Sequence, residues 1–229
     1  MAILMYDLAG ADEKRRFSPY CWRIHMALKH KGLPFDTRPW RFTEKDQIAA
    51  SGGTTVPVLV DGERTVSDSW TIAEYLDAQY PDRPPLFGGP AGWNFARFTK
   101  HWVETILLPT QMRILAKDIH ERLHAKDQEY FRASREKRFG QSLEAYTANR
   151  DQAREQFRQA LTPVRRLLGE QPFVSGKAPS FPDYILFGAF QWARGTSPYL
   201  LLSHDDPVGA WRERMLDLHE GYARAFPAG

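Results

Sequence analysis

The segment PDRPPLFGGPAG, from Pro81 to Gly92, constrains the fold of this 229-residue chain more than any other feature. It contains four prolines and three glycines. Because proline lacks a backbone N–H and glycine is conformationally free, a segment of this composition interrupts regular structure. The sequence therefore predicts two folding units, residues 1–83 and residues 93–229, joined by a linker at residues 84–92.

Before the linker, short apolar runs alternate with helical patterns. The predicted strands cover residues 3–6, 35–40, 54–60 and 64–67, and the predicted helices cover residues 19–31 and 69–80. The last two strands flank Asp61-Gly62, a dipeptide that favours a two-residue hairpin turn. This order of elements predicts an α/β unit in which helices pack on a small mixed sheet.

After the linker, strand patterns nearly vanish. Residues 93–170 are charged and periodic, and they predict two or three long amphipathic helices. Ser180 is followed three residues later by Asp183, which predicts a capping box before the apolar run that ends at Ala193. A last helix is predicted near residues 207–223. The second unit is therefore expected to be all-helical.

The composition excludes several functional classes. Apolar residues make up 42% and charged residues 26% of the chain, as is typical of soluble globular proteins. With 31 basic and 28 acidic residues, the net charge of +3 does not indicate a nucleic-acid-binding protein. The most apolar stretch, residues 184–193, is too short to span a membrane, and the N-terminal residues lack the pattern of a signal peptide. The single cysteine excludes an internal disulfide and fits a reducing cytoplasm.

Ser18 precedes Pro19, and proline favours the first position of a helix, so Ser18 is predicted to be an N-cap. In one interpretation its hydroxyl only satisfies a backbone N–H. In the other, the helix N-terminus attracts an anion, and the hydroxyl donates a hydrogen bond to a bound thiolate. Such a site lowers the pKa of a thiol from about 8.5, so that the thiol becomes a nucleophile near neutral pH.

Two further pairs of residues suggest a binding site for a peptide-like ligand. Val56-Pro57 lies within a predicted strand, where proline is normally excluded, and fits either an edge strand or a cis-proline turn. The turn would leave the backbone of Val56 free to pair with an extended ligand. Asp68-Ser69 ends a strand and starts a helix, which fits either simple helix capping or a binding site for an amino acid. In such a site, the carboxylate of Asp68 binds the ammonium group of the ligand, and the hydroxyl of Ser69 helps to bind the ligand's carboxylate.

Other reactive side chains favour structural roles. Cys21 lies on the apolar face of the first helix and is interpreted as a core residue, with a nucleophilic role left open. His120 and His124 have the i, i+4 spacing of two metal ligands, but no third donor stands nearby, so no metal site is predicted. The basic residues between Arg113 and Arg166 are interleaved with acidic ones and are interpreted as a solvated helical face.

In combination, these motifs resemble the glutathione transferase superfamily, and the similarity runs through the chain in order. SPYCWRIHMALKHKG resembles its catalytic loop and first helix, and TTVPVLVDG resembles its cis-proline strand. DSWTIAEYLDAQYPDRPPLF resembles its γ-glutamyl site and linker, and PSFPDYILFGAF resembles the capping box of its second domain. Within the superfamily, the chain is most similar to bacterial β-etherases and related fungal etherase-type transferases. This similarity lies in WRIHMALKHKG, in DSWTIAEYLDAQYPDRP and in the stretch from His204 to Pro207.

The resemblance implies the glutathione transferase fold, which is a thioredoxin-like α/β N-terminal domain plus an all-α C-terminal domain. It implies that Ser18 is the catalytic residue that stabilises the glutathione thiolate. Val56 and Pro57 would bind the cysteinyl part of glutathione. Asp68 and Ser69 would hold its γ-glutamyl end.

The family usually adds a basic or amide group for the glycine carboxylate of glutathione, and here Arg41 or Lys45 could take that role. The resemblance also implies an electrophile pocket between the two domains. Five residues are expected to line it: Tyr20, Trp102, Ile106, Met112 and Trp192.

The implied protein is a cytoplasmic homodimer that uses glutathione as a co-substrate and needs neither a metal, a nucleic acid nor a membrane. The aromatic stretch around Trp93, Phe95 and Phe98 fits either a dimer interface or the core. The thiolate would attack a hydrophobic, aromatic electrophile, and in the β-etherases the attacked carbon bears an aryloxy group. Two alternatives stay open: a general glutathione transferase or peroxidase, and a non-catalytic ligand carrier or interaction module with this fold.

Overall fold

A computed structural model describes residues 3–229; Met1 and Ala2, which belong to the first predicted unit, lie outside the described residues. The sheet consists of β1 (Ile3–Leu8), β2 (Phe35–Trp40), β3 (Val58–Asp61) and β4 (Arg64–Ser67). Two α-helices and a short 3-10 helix accompany it: α1 (Pro19–His30), α2 (Ser69–Gln79) and Lys45–Ser51.

The sheet has the order β2-β1-β3-β4. β1 pairs parallel to β2 and antiparallel to β3, so the predicted mixed, thioredoxin-like sheet is confirmed. β3 begins at Val58, four residues later than predicted, and Pro57 immediately before it has no N–H to donate to a strand ladder. The peptide bond between Val56 and Pro57 is cis, which the turn interpretation predicted.

The second unit is all-helical in the part of the chain described, as predicted. Its helices are α3 (Pro90–Trp102), α4 (Leu108–Arg122), α5 (Ala125–Phe139), α6 (Leu143–Thr147), α7 (Arg150–Ala160), α8 (Thr162–Glu170), α9 (Phe181–Thr196) and α10 (Pro207–Gly221). A π-helical turn, Val103–Leu107, connects α3 directly to α4. No helix within residues 3–229 combines the length and apolar character that crossing a bilayer requires.

The prediction of two or three long helices over residues 93–170 is wrong, because local signals divide this region further. His124 caps α5 through a hydrogen bond from the backbone N–H of Lys126. Gly140 ends α5 in the left-handed conformation, with φ of 70°, and Ser142 caps α6. At the other end of the region, α3 begins at Pro90, within the predicted linker.

The buried carboxylate of Asp183 fixes the start of α9. It accepts hydrogen bonds from the backbone N–H groups of Val174 at 2.8 Å and Ser180 at 3.3 Å, and from Nε1 of Trp211 at 2.9 Å. The bond from Ser180 belongs to the capping box that the sequence predicts. Because buried donors without a partner are costly, this one carboxylate holds the helix start, a loop and α10 together.

Two glycines let α9 pack very closely against the chain that leads into α1. A Cβ on Gly188 would lie 2.2 Å from the carbonyl oxygen of Pro19, and a Cβ on Gly195 would lie 3.1 Å from Cβ of Phe17. Seven residues apart, the two glycines lie on the same face of the helix. The helical unit therefore supports the turn that carries Ser18, which lies between Phe17 and Pro19.

Candidate active site

Ser18 occupies the N-cap of α1, as the sequence predicts. Its hydroxyl oxygen accepts a hydrogen bond from the backbone N–H of Cys21 at 3.2 Å. The residue is only 3% exposed, yet it lines the cavity that lies between the sheet and the helical unit. Because the oxygen acts as an acceptor toward the helix, the hydroxyl proton is available to a group bound in the cavity.

The loop that delivers Ser18 is held in place from both sides. Nε1 of Trp22 donates a hydrogen bond to the carbonyl oxygen of Arg16 at 2.9 Å. Arg16 also forms an isolated β-bridge with Ala9 at the end of β1. The N-terminal turn of α1 is therefore a rigid feature, and its N–H groups and dipole make it favourable for an anion.

Val56 and Pro57 line the same cavity. Within residues 3–229, the backbone N–H and carbonyl groups of Val56 make no hydrogen bond. An extended ligand could therefore pair with both groups, in the way that a strand adds to a sheet edge.

The N-terminus of α2 also faces this cavity, through Asp68 and Ser69. Oδ1 of Asp68 caps the helix by accepting hydrogen bonds from the backbone N–H groups of Trp70 at 3.0 Å and Thr71 at 3.1 Å. Asp68 has a φ of 73°, an uncommon conformation for a residue other than glycine. Its second oxygen, Oδ2, has no such role in the described residues, so the same carboxylate can cap the helix and bind a cation.

The cavity has a volume of about 970 Å³ and lies where the two units meet. Its sheet-side wall contains Ser18, the cis-proline turn and the start of α2. Its opposite wall is formed by α3, α4, α5 and α6, with aromatic rings from four residues: Tyr130, Phe131, Phe139 and Tyr146. A polar wall that faces an aromatic wall suits a ligand with a peptide part and a hydrophobic part.

A buried ion-pair network connects α1 to the helical wall of the cavity. Nη1 of Arg23 lies 2.7 Å from Oε1 of Glu104 and 3.5 Å from Oγ of Ser69. The other oxygen of Glu104 pairs with Nζ of Lys100 at 3.0 Å. The arginine thereby connects two of the elements that border the cavity, and it positions the side chain of Ser69.

Three of the five residues expected in the electrophile pocket line the cavity, and two do not. Tyr20, Met112 and Trp192 line the cavity. Trp102 and Ile106 do not, because positions 100, 104 and 108 face the cavity and residues two positions away lie about half a turn around the helix. Trp102 packs against the hydrophobic core, and Ile106 is 45% exposed.

Neither candidate for the glycine carboxylate of glutathione lines the cavity. The guanidinium of Arg41 is already paired with Glu13 at 3.0 Å and Glu44 at 3.3 Å, which removes it from the site. Nζ of Lys45 lies 5.2 Å from the ring centre of Tyr130, a residue that does line the cavity. Lys45 thus stands beside the cavity wall, whereas Arg41 serves a structural pairing.

Cys21 is fully buried, as its core interpretation predicted. Burial raises the pKa of its thiol well above the ordinary value, and the nearby charge of Asp7 acts in the same direction. The structure thus favours a protonated, structural cysteine, although it lies only one turn from Ser18.

Four charged residues of the cavity were missed by the sequence reasoning: Lys100, Glu104, Arg135 and Arg138. Lys100 and Glu104 lie in the predicted amphipathic helices, and Arg135 and Arg138 lie in the region from Arg113 to Arg166 that was interpreted as a solvated face. That interpretation did not include a cavity, which the side of α5 with Arg135 and Arg138 lines. The available signal was the i, i+4 spacing of Lys100 and Glu104, but that spacing is equally common on exposed helices.

Two family models cover most of the chain. The model for the glutathione S-transferase C-terminal domain matches residues 94–216, and the model for the N-terminal domain matches residues 17–79. The chain belongs to the glutathione S-transferase family. The N-terminal match begins one residue before Ser18 and includes the cis-proline turn and the start of α2.

Known members of the family resemble this one in sequence and fold. Glutathione S-transferase U7 of Arabidopsis thaliana is 31% identical over 108 residues, which are 46% of this chain and 48% of that protein. The chain spans about half the length of the first curated relatives it matches.

Solved structures of family members cover nearly the whole chain. The crystal structure of glutathione transferase GSTFuA2 from Phanerochaete chrysosporium has 26% identity and a TM-score of 0.76, covering 99% of this chain and 95% of that one. CsGST63524 of Ceriporiopsis subvermispora, solved in complex with glutathione, has 23% identity and a TM-score of 0.78, covering 98% and 94%. These likenesses confirm the glutathione transferase fold.

Proposed function

We propose that this chain is a glutathione transferase that activates the thiol of glutathione for attack on a hydrophobic, aromatic electrophile. The observation that carries the proposal is the position of Ser18. Its hydroxyl lies at the N-terminus of α1, in a cavity that also contains the unpaired backbone of Val56 and the start of α2. Family membership and a relative solved with glutathione support the same reading.

Glutathione fits the polar side of the cavity as an extended tripeptide. Its cysteinyl part would pair with the backbone of Val56 beside Pro57. Its γ-glutamyl ammonium would bind Oδ2 of Asp68, and its α-carboxylate would bind the hydroxyl of Ser69 and the N–H groups at the start of α2. For the glycine carboxylate we favour Lys45 over Arg41, because Arg41 is already held by two glutamates.

In this pose, the sulfur reaches the N-terminal turn of α1. The hydroxyl of Ser18 and the helix dipole stabilise the thiolate, so the thiol proton passes to solvent near neutral pH. The thiolate then forms a C–S bond with the electrophilic carbon as the leaving group departs with its electron pair. For a β-aryl ether that group is a phenolate, whose conjugate acid has a pKa near 10, so it leaves without strong acid assistance.

The proposal is tested by calorimetric titration with glutathione and by assays with an activated aryl chloride and a β-aryl ether dimer. Turnover of both compounds supports an etherase-type enzyme, and turnover of the aryl chloride alone supports a general transferase. Glutathione binding without turnover of either compound would indicate a ligand carrier. No binding heat at millimolar glutathione would contradict the proposal and indicate an interaction module.

We expect the substitution Asp68→Asn to weaken glutathione binding by about tenfold, because an amide cannot form the ion pair with the γ-glutamyl ammonium. Asparagine is a good N-cap and tolerates a positive φ, so the melting temperature should stay nearly unchanged. Calorimetric titration measures the affinity. The dipeptide cysteinylglycine, which lacks the γ-glutamyl group, is the control ligand and should bind both proteins equally. Equal affinity of both proteins for glutathione would contradict the role of Asp68.

We also propose that the protein is a homodimer, with part of α3 at the interface. Phe98 is 67% exposed and Phe95 is 37% exposed on this helix. Trp93, by contrast, is an intrachain residue: its Nε1 donates a hydrogen bond to Glu74, and its ring packs edge-on against Trp70. Sedimentation analysis gives the oligomeric state directly, and a monomer at micromolar concentration would contradict this part of the proposal.

A further inference from the structure

Two arginines of α5, Arg135 and Arg138, face the electrophile side of the cavity without any carboxylate partner in residues 3–229. Their neighbour Arg132 shows the contrast, because it pairs with Glu136 at 2.8 Å and with Glu144 at 2.9 Å. Glu104, an acidic residue that lines the helical wall, is already paired with Arg23 and Lys100. This part of the wall therefore carries uncompensated positive charge.

The guanidinium of Arg135 packs on aromatic rings, which attract a cation, and it is partly buried. It lies 4.8 Å from the ring centre of Phe131 and 5.8 Å from that of Phe42. Its Nε is buried and has no hydrogen-bond partner among residues 3–229. Burial lowers the pKa of Arg135, and the charge of Arg138 lowers it further. Two close guanidinium groups, one of them partly desolvated, would be stabilised by an anion between them.

The same wall also has an aromatic surface, against which the rest of an anionic ligand would pack. Phe139 and Tyr146 stack with their ring centres 3.7 Å apart, and both line the cavity. Tyr20, two residues after Ser18, lies across from them: burial raises the pKa of its hydroxyl, and the charges of Arg23 and Arg138 oppose that shift. Arg138 and Tyr20 both line the cavity, and Tyr20 belongs to the N-terminal turn of α1, where the glutathione sulfur is expected.

We infer that the electrophile is an aromatic acid, whose anionic group binds between Arg135 and Arg138 while its ring packs on the aromatic wall. This inference rests on the proposed transferase function and specifies its substrate class. The fork of an arginine side chain matches the paired oxygens of a carboxylate, sulfonate or phosphate, and planar rings suit the walls on either side. The anion thereby fixes which end of the aromatic molecule faces the sulfur.

The test compares two fluorescent ligands with the same ring system: anilinonaphthalenesulfonate, which is anionic, and N-phenylnaphthylamine, which is neutral. We expect Arg138→Gln and Arg135→Gln each to weaken binding of the sulfonate by about tenfold and binding of the neutral amine by less than about twofold. Lys137→Gln, which removes a charge from the adjacent exposed position outside the cavity, is the matched control and should change neither affinity.

Equal effects of the arginine substitutions on both ligands, or no effect on either, would overturn the inference. A loss of glutathione affinity in these variants without a loss of sulfonate affinity would also overturn it, because the arginines would then hold the glycine carboxylate. Arg138 is exposed, so its variant keeps the test valid if Arg135→Gln fails to fold. The titrations need no turnover. A failure of the proposed transferase function therefore shows separately, as missing conjugation by the unmodified chain of both a neutral aryl chloride and one that carries a carboxylate.

Discussion

Replacing Ser18 by alanine is expected to lower turnover with glutathione by about 100-fold to 1000-fold at neutral pH. Removing one preorganised hydrogen-bond donor from the site of a negative charge lowers turnover by this amount in other enzymes. In the native chain the serine oxygen accepts from the N–H of Cys21, so the hydroxyl proton can be donated to the sulfur. Without that donor, the thiolate keeps only the helix dipole, and its pKa returns toward the value of a free thiol, about 8.5.

The sign of the pH dependence follows from this shift. Below the raised pKa most of the bound thiol stays protonated, so Ser18→Ala should be most impaired near pH 6.5 and should recover partly as the pH rises above about 8.5. Ultraviolet absorbance of the thiolate, followed against pH in the complex with glutathione, measures the pKa directly. If the titration of the bound thiol is the same in both proteins, the assigned role of Ser18 is incorrect.

Loss of the helix cap is a separate effect of the same substitution, costing about 1 kcal/mol of folding stability. Ser142→Ala is the matched control, since Ser142 caps α6 by accepting from the N–H of Ala145 at 3.1 Å. Ser142 does not line the cavity. The control should lower the melting temperature to a similar extent and leave both turnover and the thiol pKa unchanged.

Replacing Gly188 by alanine is expected to destabilise the fold by about 3 kcal/mol and to reduce turnover strongly. The added methyl group would lie 2.2 Å from the carbonyl oxygen of Pro19, and backbone on both sides leaves no flexible group to yield. In an unconstrained helix the same change would stabilise the protein by up to about 1 kcal/mol. Since Pro19 follows Ser18 directly, relief of the clash must also move the hydroxyl that we propose to be catalytic.

Gly169→Ala separates this packing effect from helix propensity. Gly169 lies in α8, and a Cβ there would meet nothing within 4 Å. Urea unfolding should show this control to be neutral or slightly more stable than the unmodified chain, while Gly188→Ala unfolds at a clearly lower urea concentration. If Gly188→Ala were as stable and as active as the control, α9 would not position the turn that carries Ser18.

Much of the sheet-bearing unit follows from local sequence signals. The start of α1 at Pro19 and the strands β2 and β4 depend on residues close together in sequence, and the structure confirms them. The same holds in the helical unit for the capping box of Asp183. The cis bond at Pro57 was one of two interpretations, because the sequence alone does not show whether a neighbouring strand covers Val56.

The helical wall of the cavity could be predicted less well, because it depends on how helices are rotated against their neighbours. Trp102 and Ile106 were expected in the pocket from the family resemblance, but α3 and the π-helical turn present Lys100 and Glu104 instead. The arginines of α5 have the same local pattern as solvated ones. Only the packing of α5 across the cavity shows which of them lack a partner.

The close contact between α9 and the start of α1 bears on how new members of the family could be built by recombination. A sheet-bearing half taken from this chain and joined to the helical half of another would carry every residue proposed here to bind glutathione. It would lack the close-packing surface of α9 at positions 188 and 195. A helical half with larger side chains at these two positions would displace the turn that carries Ser18. Chimeras should therefore be active only when the helix that replaces α9 has two small residues seven positions apart. This requirement can be checked in the sequence before a chimera is made.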